Sequence, residues 1–312
     1  MKGRAVAIIV SLALLAGVAA SYLALSRNPK PRVSLSAPVQ PFFDGGGRLS
    51  PGAFAAAYSP DGSRLAVRSA DGIGLADRGA VKAVTPRGSN VVDFAWLPGG
   101  DRLLVAEGPI PTGQLDALAL NGRSAGTVKL LPSFSVGSGY GLAVDSTARH
   151  AVASRARADQ LSGVVHLDLV EVDLQSGVVR ELTPDPDAQS SRPFYIDDTH
   201  VLYQREQGNH TAAAVLDLVT LARRDLTGPN IEARPVGVLL GGGYAAYATH
   251  SGDLFAVAPD GGQPIRLGSR LGPVAAVDPT GTYAVVVTAS TQDAGLDQLV
   301  EKRLTPPPKR GQ

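Results

Sequence analysis

The chain carries five histidines, His150, His166, His200, His210 and His250, and no cysteine. Imidazoles hold zinc when two share a helix face or a set motif spacing. None of the five forms an i, i+4 helical pair or sits in such a motif, so no metal ligand is assigned. His150 and His200 fall at equivalent hairpin positions and read as turn or strand surface residues. Carboxylates gather at Asp185, Asp187, Asp197 and Asp198, but their spacing fits no calcium loop. The stretch Thr183-Pro184-Asp185-Pro186-Asp187 reads as a turn between repeating units. The serine-hydrolase pattern G-x-S-x-G is absent. The glycine-rich run Val136-Gly137-Ser138-Gly139-Tyr140-Gly141 has no helix after it, so it reads as a passage into a strand. Without cysteine there is no disulfide, no lipidated thiol and no thiolate zinc site. No catalytic, cofactor-binding or metal residue is assigned, and no cofactor is expected.

The elements that would position any site are short strands joined by tight turns. The clearest is Tyr58-Ser59-Pro60-Asp61-Gly62-Ser63-Arg64-Leu65-Ala66-Val67. Proline presets φ, aspartate bonds its own backbone, and glycine accepts φ > 0. Apolar residues flank the turn on both sides, which makes a hairpin. The phrase recurs as Leu97-Pro98-Gly99-Gly100-Asp101-Arg102, Asp145-Ser146-Thr147-Ala148-Arg149-His150, Ile196-Asp197-Asp198-Thr199-His200, Leu240-Gly241-Gly242-Gly243-Tyr244 and Asp278-Pro279-Thr280-Gly281-Thr282-Tyr283. Successive copies stand roughly 40–50 residues apart, the period of a four-stranded propeller blade.

A second phrase, strand–turn–strand, spans residues 169–183 and returns at 254–267; it reads as the outer pair of strands in a blade. Six turns predict a six-bladed, all-β propeller. The last unit is short, with strands near 283–290 and 296–304. A strand from within residues 33–57 is expected to complete it and close the ring, since an open edge is a template for aggregation. Trp96, directly before the second turn, reads as blade packing rather than a binding hot spot.

Of the 312 residues, 44% are hydrophobic and 18% charged, enough for one large β domain. A net charge of +1 and 5% aromatics, with no basic–aromatic interleaving, argue against nucleic acid as a partner. Arginine outnumbers lysine and alanine and glycine abound, as in high-GC bacterial sequences. Residues 5–25 carry no charge and follow the basic Met1-Lys2-Gly3-Arg4. Their length matches a hydrocarbon core of about 30 Å. The expected organisation is a signal-anchor or signal peptide over 1–26, a Pro/Gly-rich linker over 27–48, the propeller over 49–305 and a basic disordered tail over 306–312. The run continues past Ala20, where a signal peptidase would cut, which favours an anchor. The propeller is then expected on the extracytoplasmic side of the cell membrane, or secreted if the signal is cleaved.

Residues 57–67 resemble the WD40-like repeat of the TolB-type β-propellers, and Glu181-Leu182-Thr183 and Asp260-Gly261-Gly262 with Arg266-Leu267 resemble that family's outer-strand signature. The resemblance covers roughly residues 50–305. It implies an extracytoplasmic six-bladed propeller that binds proteins. The chain departs from TolB in having no α/β domain ahead of the first blade, which puts a Tol-complex role in doubt. The shared motif is structural, so no functional residue carries over.

The leading expectation is a membrane-anchored interaction module of the cell envelope, not an enzyme, whose partners are unidentified envelope proteins. The alternative is a propeller enzyme or a small-ligand or metal binder using the central channel, as in lactonase-like propellers.

Overall fold

The structure, a computed structural model, describes residues 32–35, 55–69, 72–77, 80–86, 89, 91–107, 113–119, 124–131, 141–158, 165–185, 187–239, 243–289 and 297–308. The expected N-terminal apolar segment, most of the linker, the glycine-rich run up to Tyr140 and the last four residues of the tail lie outside the described residues. Residues from Val33 onward form one compact unit. Among the described residues no helix is long and apolar enough to cross a membrane.

That unit is built of antiparallel meanders. The first holds β1 (Ala55–Tyr58), β2 (Leu65–Ser69), β3 (Gly72–Asp77) and β4 (Ala80–Ala83). The second holds β5 (Val91–Trp96), β6 (Arg102–Glu107), β7 (Gly113–Ala119) and β8 (Ser124–Leu131). In the third are β9 (Leu142–Val144), β10 (His150–Ala158), β11 (Val165–Asp173) and β12 (Val179–Glu181). The fourth comprises β13 (Gln189–Asp197), β14 (His200–Gln207), β15 (His210–Asp217) and β16 (Arg223–Asp225). The fifth comprises β17 (Ala233–Leu239), β18 (Tyr244–Thr249), β19 (Leu254–Val257) and β20 (Ile265–Gly268). A last sheet has β21 (Val274–Val277), β22 (Tyr283–Ala289) and β23 (Asp297–Arg303). The first strands touch in the order β1, β5, β9, β13, β17, β21, and β21 returns to β1. This is the radial arrangement of an all-β propeller. Both expected outer pairs are present, as β11–β12 and β19–β20.

The expectation of six complete blades is corrected: among the described residues five blades have four strands and the remaining sheet has three. Pro306, Pro307 and Pro308 follow β23 and have no N–H to give a ladder. The chain leaves the sheet there, and the Thr305 amide donates to Leu267 O of the fifth blade at 2.9 Å. The strand sought within residues 33–57 is β1, which belongs to the first blade. Residues 33–35 are coil, yet they lie against the three-stranded sheet. Ser34 Oγ and the Leu35 amide both donate to Glu301 Oε2 of β23, at 3.0 and 3.2 Å. Leu35 is buried with Leu65, Val285 and Leu299, between the first and last sheets.

The turn between the first and second strands has one hydrogen-bond pattern in four sheets. Its first residue donates to the carbonyl five positions on: Ser59 to Arg64, Leu97 to Arg102, Asp145 to His150 and Asp278 to Tyr283, at 2.9–3.0 Å. The fourth residue donates back to the first and must adopt φ > 0. Gly62, Gly100 and Gly281 do so at 68°, 65° and 72°, but the third blade puts Ala148 there at 57°. Where the first residue has an oxygen-bearing side chain, that side chain closes the turn as well. Ser59 Oγ accepts the Arg64 amide at 3.0 Å, and Asp278 Oδ1 accepts the Tyr283 amide at 2.6 Å.

The turns between the first and second strands of blades three and four each carry a histidine. His150 Nδ1 lies 3.1 Å from Asp145 Oδ2, and its Nε2 lies 3.9 Å from Asp173 Oδ2. His200 repeats the arrangement, 3.0 Å from Asp197 and 4.0 Å from Asp217. Each imidazole thus links the turn before the second strand to the turn after the third. Burial pulls the Asp145 and Asp197 carboxyls up, but hydrogen bonds from Thr147 and His150, and from Thr199 and His200, outweigh it and hold both below the usual range. Amides of Ser176 and Thr220 do the same for Asp173 and Asp217.

Two outcomes follow. Ala148→Gly relieves a left-handed backbone that L residues avoid, less the flexibility glycine adds to the unfolded chain; it should raise stability by about 0.5–1 kcal/mol in urea denaturation. Four carboxyls with lowered folded values favour the folded state above the ordinary aspartate value of about 3.9 and lose that contribution as pH falls through the lower folded values. The urea midpoint should therefore drop steeply below about pH 4, and the Asp145→Asn, Asp197→Asn double variant should flatten that drop. An unchanged slope in the variant would remove these carboxyls as its cause.

Candidate site at the channel mouth

Six first strands surround the axis, and each is bonded within its own sheet on one side only. Their other edges enclose a channel of about 290 Å³, lined by Ala55–Tyr58, Asp93–Trp96, Gly141–Val144, Arg192–Tyr195, Val236–Val238 and Val274–Val277, among others. An edge strand tolerates residues that a central strand rejects, including proline and bulges. Four of the six use that latitude. The ladder slips between Val91 and Asp93, Ser191 and Phe194, Pro235 and Gly237, and Val274 and Ala276.

The slips place polar residues where the first strands enter the ring. Asp93 is buried and accepts the Phe94 amide at 2.8 Å and the Gly141 amide of the next blade at 2.6 Å. Burial pushes its carboxyl up, against the opposing pull of Arg68, of these two amides and of Arg192. Arg68 reaches this centre from β2 and is itself buried. Gly141 has φ of +101°, and a Cβ on it would stand 2.7 Å from Arg192 Cα and 2.7 Å from Pro193 Cδ. Only glycine lets these two backbones meet. Arg192 sits in its bulge at φ +54°, a costly conformation for arginine. Arg234 of the fifth blade neighbours it and donates to Val274 O of the last sheet at 3.3 Å. Burial and the charge of Arg192 both lower the hold of Arg234 on its proton. The sequence Arg68, Asp93, Gly141, Arg192, Arg234 and Val274 therefore passes through all six sheets around one mouth of the channel. Tyr195 lines the channel below, its hydroxyl driven far above the ordinary value, chiefly by burial.

The histidines and aspartates singled out from the sequence lie elsewhere. His150 and His200 occupy the opposite rim, at the start of second strands. Asp185 pairs with Arg223 at 3.0 Å, while Asp198 ties the third blade to the fourth by accepting from Ser146 N and Oγ at 3.1 and 3.0 Å. Among the described residues no group of three His, Cys, Asp or Glu side chains is placed to hold a metal ion. Trp96 packs between the first two blades and donates Nε1–H to Ala57 O at 2.8 Å. Gly141 leads into β9, in line with the strand passage read from the glycine-rich run. The mouth residues carried two visible signals: an aspartate inside the apolar run Val91-Val92-Asp93-Phe94-Ala95-Trp96, and the dipeptide Arg-Pro at 192–193 and again at 234–235.

No protein-family profile and no curated protein matches the chain, but solved structures do. TolB from Acinetobacter baumannii superposes with a TM-score of 0.54 at 12% identity, over 81% of this chain and 64% of that one. A protein described as a TolB from Agrobacterium tumefaciens superposes at 0.57 and 14%, over 81% and 90%. The fold is a TolB-like β-propeller. An oligogalacturonate lyase in complex with manganese is similar too, with a TM-score of 0.54 at 16% identity, over 86% and 84%. The chain spans a little under two thirds of the Acinetobacter protein. At these identities the likeness carries the TolB-like fold and not an activity.

The contact of Gly141 with Arg192 is the most exposed to test. Gly141→Ala forces apart two backbones and adds left-handed strain, and should cost about 2–4 kcal/mol in urea denaturation. A loss below about 0.5 kcal/mol, the ordinary range for surface substitutions, would mean the blades separate there freely.

Proposed function

We propose that this TolB-like propeller is an extracytoplasmic protein-interaction module of the cell envelope, anchored to the membrane through residues 5–25. In this reading the three-stranded sheet is the sixth blade of the ring. The observation that supports docking is a set of apolar side chains left in water at the hairpin tips of two adjacent blades. Val178 is 65% exposed and Val219 75%, with Val179 and Leu221 beside them in sequence and also exposed. Arg180 holds the two tips together by donating Nη2–H to Leu218 O at 3.1 Å. Turn tips are ordinarily polar, and clustered exposed apolar side chains mark interaction surfaces. Polar groups border the cluster, among them the Arg180–Glu171 ion pair at 2.9 Å, as a rim does around an interface core.

The test is a pull-down from solubilised membranes with the full chain and with a Val178→Asp, Val219→Asp variant. Both sites are exposed, so the fold should tolerate the change within about 0.5 kcal/mol. Envelope proteins retained by the native chain should be lost by the variant. Retention of the same proteins by both would remove this surface from the reading.

The channel supports a second reading, that of a small-ligand binder, through the charged residues gathered at its mouth. The manganese-bound oligogalacturonate lyase, alike in fold, is an enzyme by its name.

A further inference from the structure

The two rims of the ring differ in what they carry. Turns between first and second strands share a rim with turns between third and fourth strands. In blade three the Leu174 amide donates to Arg149 O at 2.8 Å, and in blade four the Leu218 amide donates to Thr199 O at 2.8 Å. The apolar tips at Val178 and Val219 therefore stand on the rim of the Gly62 turn, and the channel mouth, where first strands begin, opens on the other. The chain enters the compact unit on the tip rim as well: the Val33 amide donates to Gly62 O at 3.2 Å. This entry point, by the first and last sheets, is across the ring from blades three and four.

Val33 follows Leu25, the last residue of the uncharged run, by eight positions. Eight residues of any conformation reach at most about 28 Å. A small folded domain is itself about 30 Å across. The tips are also preorganised, which lowers the cost of docking. Asp173 Oδ1 accepts the Gln175 and Ser176 amides at 2.9 and 2.7 Å, and Asp217 Oδ1 accepts the Val219 and Thr220 amides at 2.8 and 2.9 Å. Their character suits protein rather than lipid. Surfaces that lie in a bilayer interface use aromatic side chains together with lysine and arginine. The exposed apolar residues here, Val178, Val179, Val219 and Leu221, are all aliphatic. The arginines around them are matched by carboxylates: Arg149 lies 3.7 Å from Asp173, Arg180 2.9 Å from Glu171 and Arg223 3.0 Å from Asp185. Such pairs offer an anionic lipid surface little net charge.

We propose that the partner of these tips is an integral protein of the same membrane, presenting a charge-poor apolar surface just outside the bilayer. The proposal rests on the interaction reading and on the anchor at residues 5–25, and adds which way the ring faces and what it meets. The tip rim faces the membrane and the channel mouth faces away from it. Beneath a rim tethered this closely a soluble partner of ordinary size has no room, whereas a membrane-embedded one is already there. The aliphatic tips form the buried centre of the contact, and the matched ion pairs form its polar border.

The chain has no cysteine, so single cysteines can report on each rim. Val219→Cys marks the tips, and Asn209→Cys marks the turn between β14 and β15 on the opposite rim; both positions are exposed. The full chain is reconstituted in vesicles of phosphatidylethanolamine and phosphatidylglycerol, with a donor dye on the cysteine and an acceptor on the headgroups. Energy transfer should be stronger from position 219 than from position 209. In native membranes, a cleavable photo-crosslinker at position 219 should capture a protein that, once released, stays with the membrane in alkaline carbonate. Position 209 should not capture it, and adding Val178→Asp to the Val219→Cys chain should abolish the capture. The proposal is overturned if transfer from 209 equals or exceeds that from 219, or if position 219 captures nothing. It is equally overturned if the captured protein is a second copy of this chain or is extracted by carbonate. Quenching of the dye at 219 by spin-labelled lipid tails would make the bilayer itself the occupant and also overturn it. A carbonate-extracted partner that the Val178→Asp, Val219→Asp variant loses in the pull-down would sink this placement and leave docking standing. Retention of the same proteins by both chains in that pull-down sinks docking itself.

Discussion

The ring depends on packing between the faces of neighbouring sheets. The buried apolar residues do not form one central core. They fall into six clusters, and each joins two consecutive sheets: one and two, two and three, three and four, four and five, five and six, and six back to one. Every sheet must therefore be apolar on both faces. On β6, Leu103 and Val105 face the first blade while Leu104 and Ala106 face the third. On β14, Val201 and Tyr203 face the third blade while Leu202 faces the fifth. Burial on both faces turns the usual alternation of a strand into an unbroken apolar run. It also means that no sheet is stable without two neighbours, so closure between the first and last sheets matters as much as any other interface. The β1–β21 contact and Leu35 supply it.

This packing explains what the sequence could and could not disclose. The turns were legible because they are local: proline, aspartate and glycine set backbone angles whatever surrounds them. The outer strand pairs were legible for the same reason. The three-stranded count of the last sheet was not. It turns on where three prolines send the chain after β23 and on a single carboxylate, Glu301, that gathers residues 33–35. The second is a relation across more than 260 residues. The histidines drew attention as chemical types, yet their neighbours make them structural. His150 and His200 each stand between two aspartates whose positions only the paired register brings together.

The mouth was least legible, because its residues lie on separate blades and have ordinary types. Asp93, Gly141, Arg192 and Arg234 come from four sheets. What unites them is that each lies on, or directly before, a strand whose inner edge has no partner. An unpartnered edge frees a strand to slip its register, and a slipped register turns a side chain out of the inter-sheet packing. Proline at 193 and 235 is tolerated there because the amide it lacks would have had no ladder to join.

Strain distinguishes the two left-handed residues that matter most. Ala148 has a plain account: it occupies a turn position that glycine fills in three other blades, so its cost is one of local substitution. Arg192 has no such account. No repeat puts a glycine at its equivalent among these residues; the matching Arg-Pro in the fifth blade lies at a bulge of different register, and Arg234 is not in the left-handed region. The left-handed angle at Arg192 is over-determined instead, with Gly141 pressed against its Cα on one side and Pro193 fixed on the other. Such strain persists only where surrounding structure imposes it, and its effect is to hold the Arg192 guanidinium where its charge is felt by both Asp93 and Arg234 at the channel mouth.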